Sequence, residues 1–149
     1  MQNLSRWIHT AFIVVGAAGF LDATYLAALH YTNTIPPCIV TSGCETVLTS
    51  EYSTLFGVSN ALPGALYYLT LFILAVLSLE LGRRRILVRA ALLTPVGFLM
   101  SSYFVYLQLF VLKAICFYCM ISAAASTILF ILGMLITLNA RKAALPANT

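Results

Sequence analysis

Four long apolar stretches constrain the fold of this chain more than any other feature of its sequence. They cover residues 8–30, 61–80, 90–112 and 116–138, and a helix needs about 20 mainly apolar residues to cross a bilayer. Only 8% of the 149 residues are charged, whereas soluble domains carry roughly a quarter. The sequence therefore predicts an all-α integral membrane protein in which residues 1–149 form one domain, a bundle of four transmembrane helices.

The basic residues flank these stretches and predict how the bundle is oriented. Apart from Lys113, which this topology leaves on the outer side, they are Arg6, Arg83, Arg84, Arg85, Arg89, Arg141 and Lys142. By the positive-inside rule the segments that carry them are cytoplasmic, so both termini are expected inside and the loop 31–60 outside. The net charge of +4 then reflects topology, and no nucleic-acid partner is predicted. In a bacterium such a protein is expected to span the inner membrane several times.

The four cysteines form two pairs, and this topology places both pairs on the outer side. Cys38 and Cys44 lie in the loop, and Cys116 and Cys119 form a Cys-x-x-Cys at the start of the fourth stretch. Disulfides persist on that side of the membrane. A helix N-terminus lowers the pKa of a thiol, so Cys116 is expected to be the reactive one. Cys119, one turn deeper, can meet a molecule dissolved in the bilayer, which suits two-electron transfer between a soluble protein and a membrane carrier.

A short helix is predicted in the outer loop. Residues 42–45 match a capping box with Ser42 as the N-cap. The side chains that then share one helix face are Cys44, Leu48, Tyr52 and Leu55. We therefore expect a horizontal amphipathic helix whose apolar side is turned to the bundle, so that Cys44 faces inward and Cys38 faces water.

The roles of two polar side chains stay open. Asp22, within the first stretch, either makes a hydrogen bond between helices or takes part in a proton relay. Asn60 either caps the second long helix or binds a ligand. His9 and His30 show no metal-ligand spacing, and no metal site is predicted.

The cysteines are also compatible with three roles outside redox chemistry. They could be structural disulfides, although a Cys-x-x-Cys closes too short a loop to stabilise much. They could bind zinc, although the spacing between Cys38 and Cys44 is wider than usual for zinc ligands. They could also have no chemistry, in a membrane scaffold or small transporter built from four helices.

The chain resembles the vitamin K epoxide reductase family in its bacterial form. The matching residues are Cys38, Gly43-Cys44-Glu45, Val47, Ser50, Tyr52-Ser53, Phe56-Gly57, Asn60 and Gly64, followed by the Cys-x-x-Cys. The resemblance covers residues 10–138. It implies a four-helix bundle around a quinone pocket that opens to the outer side, under a loop that carries a short horizontal helix.

The resemblance also implies a role for each cysteine. Cys38 would exchange with a thioredoxin-fold partner, and Cys44 would carry the exchange to Cys116. Cys119 would face the quinone. Together these steps describe a membrane thiol:quinone oxidoreductase that supports disulfide bond formation, with ubiquinone, menaquinone or a vitamin K type quinone as the electron acceptor.

Other residues refine what the resemblance implies. Ser50 would help to position the loop cysteines, and Asn60 would offer its amide to a quinone carbonyl. Because only seven residues follow Lys142, the DsbA-like partner is expected to be a separate protein. The alternative activity is reduction of a quinone or quinone epoxide by partner thiols, but where vertebrate members carry a tyrosine this chain has Ala123.

Overall fold

Four long helices make up most of the protein. The computed structural model describes residues 2–34, 43–55 and 57–144. The long helices are α1 (Gln2–Tyr31), α3 (Ala61–Glu80), α4 (Arg84–Tyr106) and α5 (Phe117–Ala144), and the short helix α2 (Cys44–Leu48) lies between α1 and α3. All four long helices are long and apolar enough to cross a membrane, which confirms the predicted all-α membrane bundle.

The third span begins earlier than predicted. It begins at Arg84 rather than at residue 90, because the arginines at its start are compatible with helix and lie at the end of the bundle. Its last turn, Leu107–Val111, is a π-helix. Single π-turns inside helices are rare and frequently mark functional sites.

The long helices form a ring in which each one packs against two neighbours. α1 and α4 each contact both α3 and α5. Phe12, Leu71 and Leu129 are fully buried at the centre, and Ala75 and Ala90 allow the backbones to approach closely. The outward-facing apolar side chains, such as Leu21, Leu99 and Ile131, are more than half exposed, as expected of a surface that faces lipid.

The two ends of the bundle carry different residues. At one end, here named the cysteine end, lie the segments 43–55 and 57–60 and the α4–α5 connection 107–119. At the other, the basic end, lie the start of α1, the α3–α4 turn and the last residues of α5, including Arg84 and Asn139. Both described cysteine elements are therefore at the same end.

The loop that precedes α3 contains less helix than predicted. α2 ends at Leu48, and a 3₁₀ turn (Glu51–Ser53) and a two-stranded ribbon of β1 (Thr54–Leu55) and β2 (Val58–Ser59) follow. The prediction that one helix carries residues 44–55 is wrong. Ser50 adopts extended backbone (φ −68°, ψ 156°), which ends the helical path and directs the chain into the ribbon.

The start of α2 also differs in detail. Gly43 is its N-cap, and no side chain caps the helix there. Ser42, the predicted N-cap, and Cys38 both lie outside the described residues. Cys44 is fully buried, so the prediction that it faces the bundle is confirmed.

Candidate functional site

Cys116 occupies the position before the first residue of α5. Its sulfur accepts hydrogen bonds from the Cys119 thiol and from the backbone N–H groups of Cys119 and Tyr118. A capping side chain makes the same bonds at an ordinary helix start. These bonds lower the pKa of Cys116 from 9.0 to about 7, against the opposing effect of burial. Cys116 and Cys119 are both free thiols, so at neutral pH Cys116 is partly thiolate.

The loop that carries Cys44 is packed directly against the segment that precedes Cys116. At Gly43, a Cβ atom would lie 2.7 Å from both the backbone N and the backbone O of Ile115. No side chain fits in that space, since real Cβ atoms do not approach backbone atoms so closely. Only glycine permits this contact, and the contact brings the neighbouring residues Cys44 and Cys116 to the same place.

The resulting cluster contains sulfur atoms from both parts of the chain. Cys44, which is disulfide-bonded, is fully buried together with Val47 and Cys116, and Cys119 packs against them. Apolar side chains surround the cluster, so water is largely excluded from the sulfur atoms. The arrangement places the disulfide-bonded Cys44 in one cluster with a thiol of lowered pKa.

A cavity of about 390 Å³ opens beside Cys119. Its walls are mainly apolar, and they include Leu26, Val96, Met100, Phe104 and Leu107. Cys119 lines the cavity but Cys116 does not. The volume falls within the range of small-molecule sites, which are typically apolar with a few polar groups.

Two tyrosines of α3 form part of the cavity wall. The rings of Tyr67 and Tyr68 meet edge to face, with centroids 5.3 Å apart. Tyr68 donates a hydrogen bond to the Ser122 carbonyl at 2.7 Å, which ties α3 to α5. A Cβ atom at Gly97 would overlap the Tyr67 ring, so the glycine makes room for that ring.

Ser50 and Asn60 both line the cavity. The Ser50 hydroxyl donates to the Val47 carbonyl at 2.7 Å, so it holds the end of α2, the helix that begins with Cys44. Asn60 is the N-cap of α3 but its side chain does not cap that helix. The Asn60 amide instead donates to the Tyr52 carbonyl at 2.5 Å, which fixes the loop above the cavity.

Gln108 is a site residue that the sequence reasoning missed. It lies in the π-turn, is 3% exposed and lines the cavity. Its Oε1 accepts a hydrogen bond from the Cys116 backbone N–H at 2.9 Å. A lone amide within the apolar run 107–112 was the available signal, because a buried amide is costly unless it has a hydrogen-bond partner.

Asp22 lies near the thiols without an evident structural partner. Among the described residues, nothing forms a hydrogen bond with its buried Oδ2 atom. A negative charge on Asp22 would raise the pKa of Cys116, although less than the Cys119 hydrogen bond lowers it. A nearby pair of rings, Tyr25 and Tyr118, stands 5.5 Å apart between centroids, so α1 contributes polar groups to the surroundings of the Cys-x-x-Cys.

No group of three or more His, Cys, Asp and Glu side chains within the described ranges is arranged to hold a metal ion. Of the six site residues predicted from the sequence, five lie in these ranges and gather at the cysteine end. Cys38, the sixth, does not fall within them.

A four-helix membrane bundle with a Cys-x-x-Cys beside an apolar cavity is compatible with a membrane-bound oxidoreductase. The model of the vitamin K epoxide reductase family matches residues 10–134. The chain therefore belongs to this family, which confirms the resemblance seen in its sequence and the assignment as a membrane oxidoreductase of quinones or quinone epoxides. Curated proteins, by contrast, give no significant match.

Proposed function

We propose that the protein passes electrons from a reduced thioredoxin-fold partner to a quinone, and that this reaction supports disulfide formation. The observation that carries the proposal is the order of the sulfur atoms. Cys44 and Cys116 are buried in one cluster, Cys119 packs against it, and only Cys119 of these three lines the cavity. The order runs from the loop toward the space that a membrane-dissolved molecule would occupy.

The first exchange takes place in the outer loop. A thiolate of the partner attacks Cys38 of a Cys38–Cys44 disulfide, and Cys44 leaves as a thiolate. The partner's second thiolate then attacks the mixed disulfide, so that the partner departs oxidised and Cys38 is released. Cys38 lies outside the described residues, and its role rests on the resemblance of the sequence to the family.

The second exchange carries the electron pair to the Cys-x-x-Cys. The Cys44 thiolate attacks Cys116 of a Cys116–Cys119 disulfide, and Cys119 leaves. Cys38 then attacks Cys44, which restores the loop disulfide and releases Cys116. Cys116 is suited to this step because its pKa of about 7 makes it a good leaving thiolate at neutral pH.

The last step uses the dithiol beside the cavity. A quinone accepts two electrons and two protons and becomes a quinol. Cys119 delivers the electron pair from the cavity wall, and Cys116 then bonds to Cys119 to restore their disulfide. The cavity fits such a ring because it combines apolar walls with amide groups of Asn60 and Gln108, which can donate to carbonyl oxygens.

The orientation of the reaction follows from charge. With the basic end in the cytoplasm by the positive-inside rule, the cysteine end lies on the outer side of a bacterial inner membrane. The loop disulfide would then meet partners in the compartment where disulfides persist. The alternative of epoxide reduction finds less support, because Ala123 on the cavity wall offers no hydroxyl to an epoxide oxygen.

Quinol formation by purified protein tests this proposal. Absorbance is followed after a short-chain ubiquinone is added, with and without a reduced thioredoxin-fold protein. Sustained turnover is expected only when both are present, and Cys119→Ser should abolish it while the partner still reduces the loop disulfide. The matched control is Ser102→Ala, whose hydroxyl bonds to its own helix at Phe98. Turnover that survives in Cys119→Ser would refute the proposed path.

A further inference from the structure

Gln108 connects the cavity to the reactive cysteine through opposite ends of one amide. A backbone N–H can only donate, so the atom that meets Cys116 N at 2.9 Å must be the amide oxygen. The amide nitrogen of Gln108 then points away from Cys116. Since the oxygen is identified by its partner, the orientation of the amide is fixed by hydrogen-bond chemistry.

The amide nitrogen of Gln108 is open to a ligand. It donates to no atom of the described residues. It is also not one of the fully buried polar atoms that lack a hydrogen-bond partner in those residues. Because Gln108 lines the cavity, the nitrogen keeps access to that space. Asn60 keeps only one N–H group for a ligand, because the other donates to the Tyr52 carbonyl.

The position of Gln108 is held by its own backbone. The Gln108 carbonyl accepts the Ala114 N–H at 3.1 Å, and the Leu107 carbonyl accepts the Leu112 N–H at 2.8 Å. These bonds close the connection between α4 and α5 at the π-turn. The side chain therefore projects from a segment held by hydrogen bonds. A ligand that binds the amide nitrogen can thus affect the hydrogen bond between the amide oxygen and the Cys116 N–H.

We propose that Gln108 is a positioning residue that couples quinone binding to Cys116, its oxygen holding the Cys116 backbone and its NH₂ group donating to a carbonyl oxygen of the bound quinone. This inference rests on the proposed function for the identity of the ligand. A quinone carbonyl accepts hydrogen bonds and cannot donate them, so it matches a free N–H group. Occupation of the cavity would then stiffen the helix start at which the Cys116 sulfur accepts its hydrogen bonds.

Two measurements on Gln108→Met test the two halves of the proposal. Methionine has a similar shape but makes neither hydrogen bond. In the reduced protein without quinone, alkylation of Cys116 at pH 7 should slow about threefold, because the loosened helix start stabilises the thiolate less. In the oxidised protein, the Kd of a short-chain ubiquinone should rise about tenfold, the factor that one lost hydrogen bond typically causes.

Leu109→Met is the matched control, because Leu109 lies in the same π-turn, is 46% exposed and does not line the cavity. It should leave both values within twofold of wild type. Gln108→Glu is a second variant in case the methionine protein does not fold. A carboxylate still offers an oxygen to Cys116 but has no N–H group, so the quinone Kd should again rise about tenfold.

Two results would refute the proposed role of Gln108. Unchanged alkylation in Gln108→Met would overturn the positioning of Cys116, and an unchanged quinone Kd in either variant would overturn the donor role. Either result refutes the coupling. Failure of the proposed function looks different, since wild-type protein would then neither bind nor reduce the quinone, while the alkylation rates would still report on the bond between Gln108 and Cys116.

Discussion

The two ends of the bundle both contain a concave site, yet among the described residues only the site at the cysteine end is lined by a cysteine. The cleft at the basic end measures about 230 Å³, and polar side chains from four helices line it, namely His9, Ser78, Arg84 and Asn139. The cavity at the cysteine end measures about 390 Å³ and has mainly apolar walls with one cysteine sulfur, that of Cys119. A concave surface alone therefore does not identify the reactive site in this protein.

The residues at the two ends of the bundle are also expected to have different roles. By the positive-inside rule we expect charge at the basic end to direct how the chain is inserted, and this charge lies at the end of the bundle away from the cysteine end. At the cysteine end, the close approach of Gly43 to Ile115 and the hydrogen bond from the Cys116 N–H to Gln108 position the groups around the sulfur atoms. We expect substitutions at the cysteine end to alter the reaction and substitutions at the basic end to alter only stability or insertion.

The largest effect is expected from Gly43→Ala. The added Cβ would lie 2.7 Å from Ile115 backbone atoms, so the loop must move away from Cys116. A displacement of about 1 Å can slow a reaction about 10²-fold, and exchange from Cys44 to Cys116 should fall by that factor. Quenched-flow alkylation with mass spectrometry measures the exchange.

Gly16→Ala is the matched control for that change, since its Cβ would make ordinary 3.8 Å contacts with Phe72. Its exchange rate should stay within twofold of wild type. Equal rates in Gly43→Ala and wild type would show that the close contact between the loop and the Cys-x-x-Cys segment is not needed for exchange.

The next largest effect concerns the pH dependence of Cys116. In the reduced protein, the rate at which Cys116 is alkylated should rise with pH, with a midpoint near 7. The reason is that the thiolate reacts and the thiol does not. Cys119→Ala removes the strongest hydrogen bond to that sulfur and should move the midpoint upward, toward 9.0. Near pH 7 the rate should then fall by up to about 50-fold. A midpoint that does not move would show that Cys119 does not stabilise the thiolate.

A smaller effect is expected from Gly97→Ala. The new methyl group overlaps the Tyr67 ring, and the ring must shift where it lines the cavity. The KM for a short-chain ubiquinone should rise about tenfold, as for a misfit of one methyl group in an apolar pocket. Steady-state kinetics at saturating partner measure it. An unchanged KM would place the quinone away from Tyr67.

The smallest effect on the reaction is expected at the basic end. His9 Nε2 donates to the Ala75 carbonyl at 3.1 Å and joins α1 to α3. His9→Phe should lower the free energy of unfolding by about 1 kcal/mol, measured by thermal denaturation in detergent, and leave quinone reduction within twofold. A large loss of turnover in folded His9→Phe protein would show that the basic end also affects the reaction.

Much of this architecture could be predicted from the sequence, because apolar length and charge position determine membrane helices directly. The second span runs over Ala61–Glu80, as predicted. The loop was harder, since its path depends on contacts with the α4–α5 connection. The amphipathic spacing of residues 44–55 suggested one helix, but extended backbone at Ser50 interrupts it.

Site residues could be predicted where their residue type and spacing indicate the chemistry. They could not be predicted where their role depends on a tertiary contact. A Cys-x-x-Cys at a helix start predicts a lowered pKa without any knowledge of packing. The role of Gly43 can be seen only when the position of Ile115 is known, and Ile115 lies 72 residues further along the chain. Gln108 likewise becomes meaningful only once the π-turn brings its side chain to the Cys116 backbone.

The most direct test of the account is a single turnover of the Cys-x-x-Cys with quinone. Protein with Cys38→Ser and Cys44→Ser, in which no loop dithiol can re-reduce the Cys-x-x-Cys, is reduced and freed of excess reductant. It is mixed with a short-chain ubiquinone, and quinol absorbance and alkylation of Cys116 and Cys119 are followed together. The account predicts that quinol appears at the rate at which these two thiols disappear, and that Cys119→Ser yields none. Quinol formed while both thiols stay intact, or formed equally by Cys119→Ser, would contradict it.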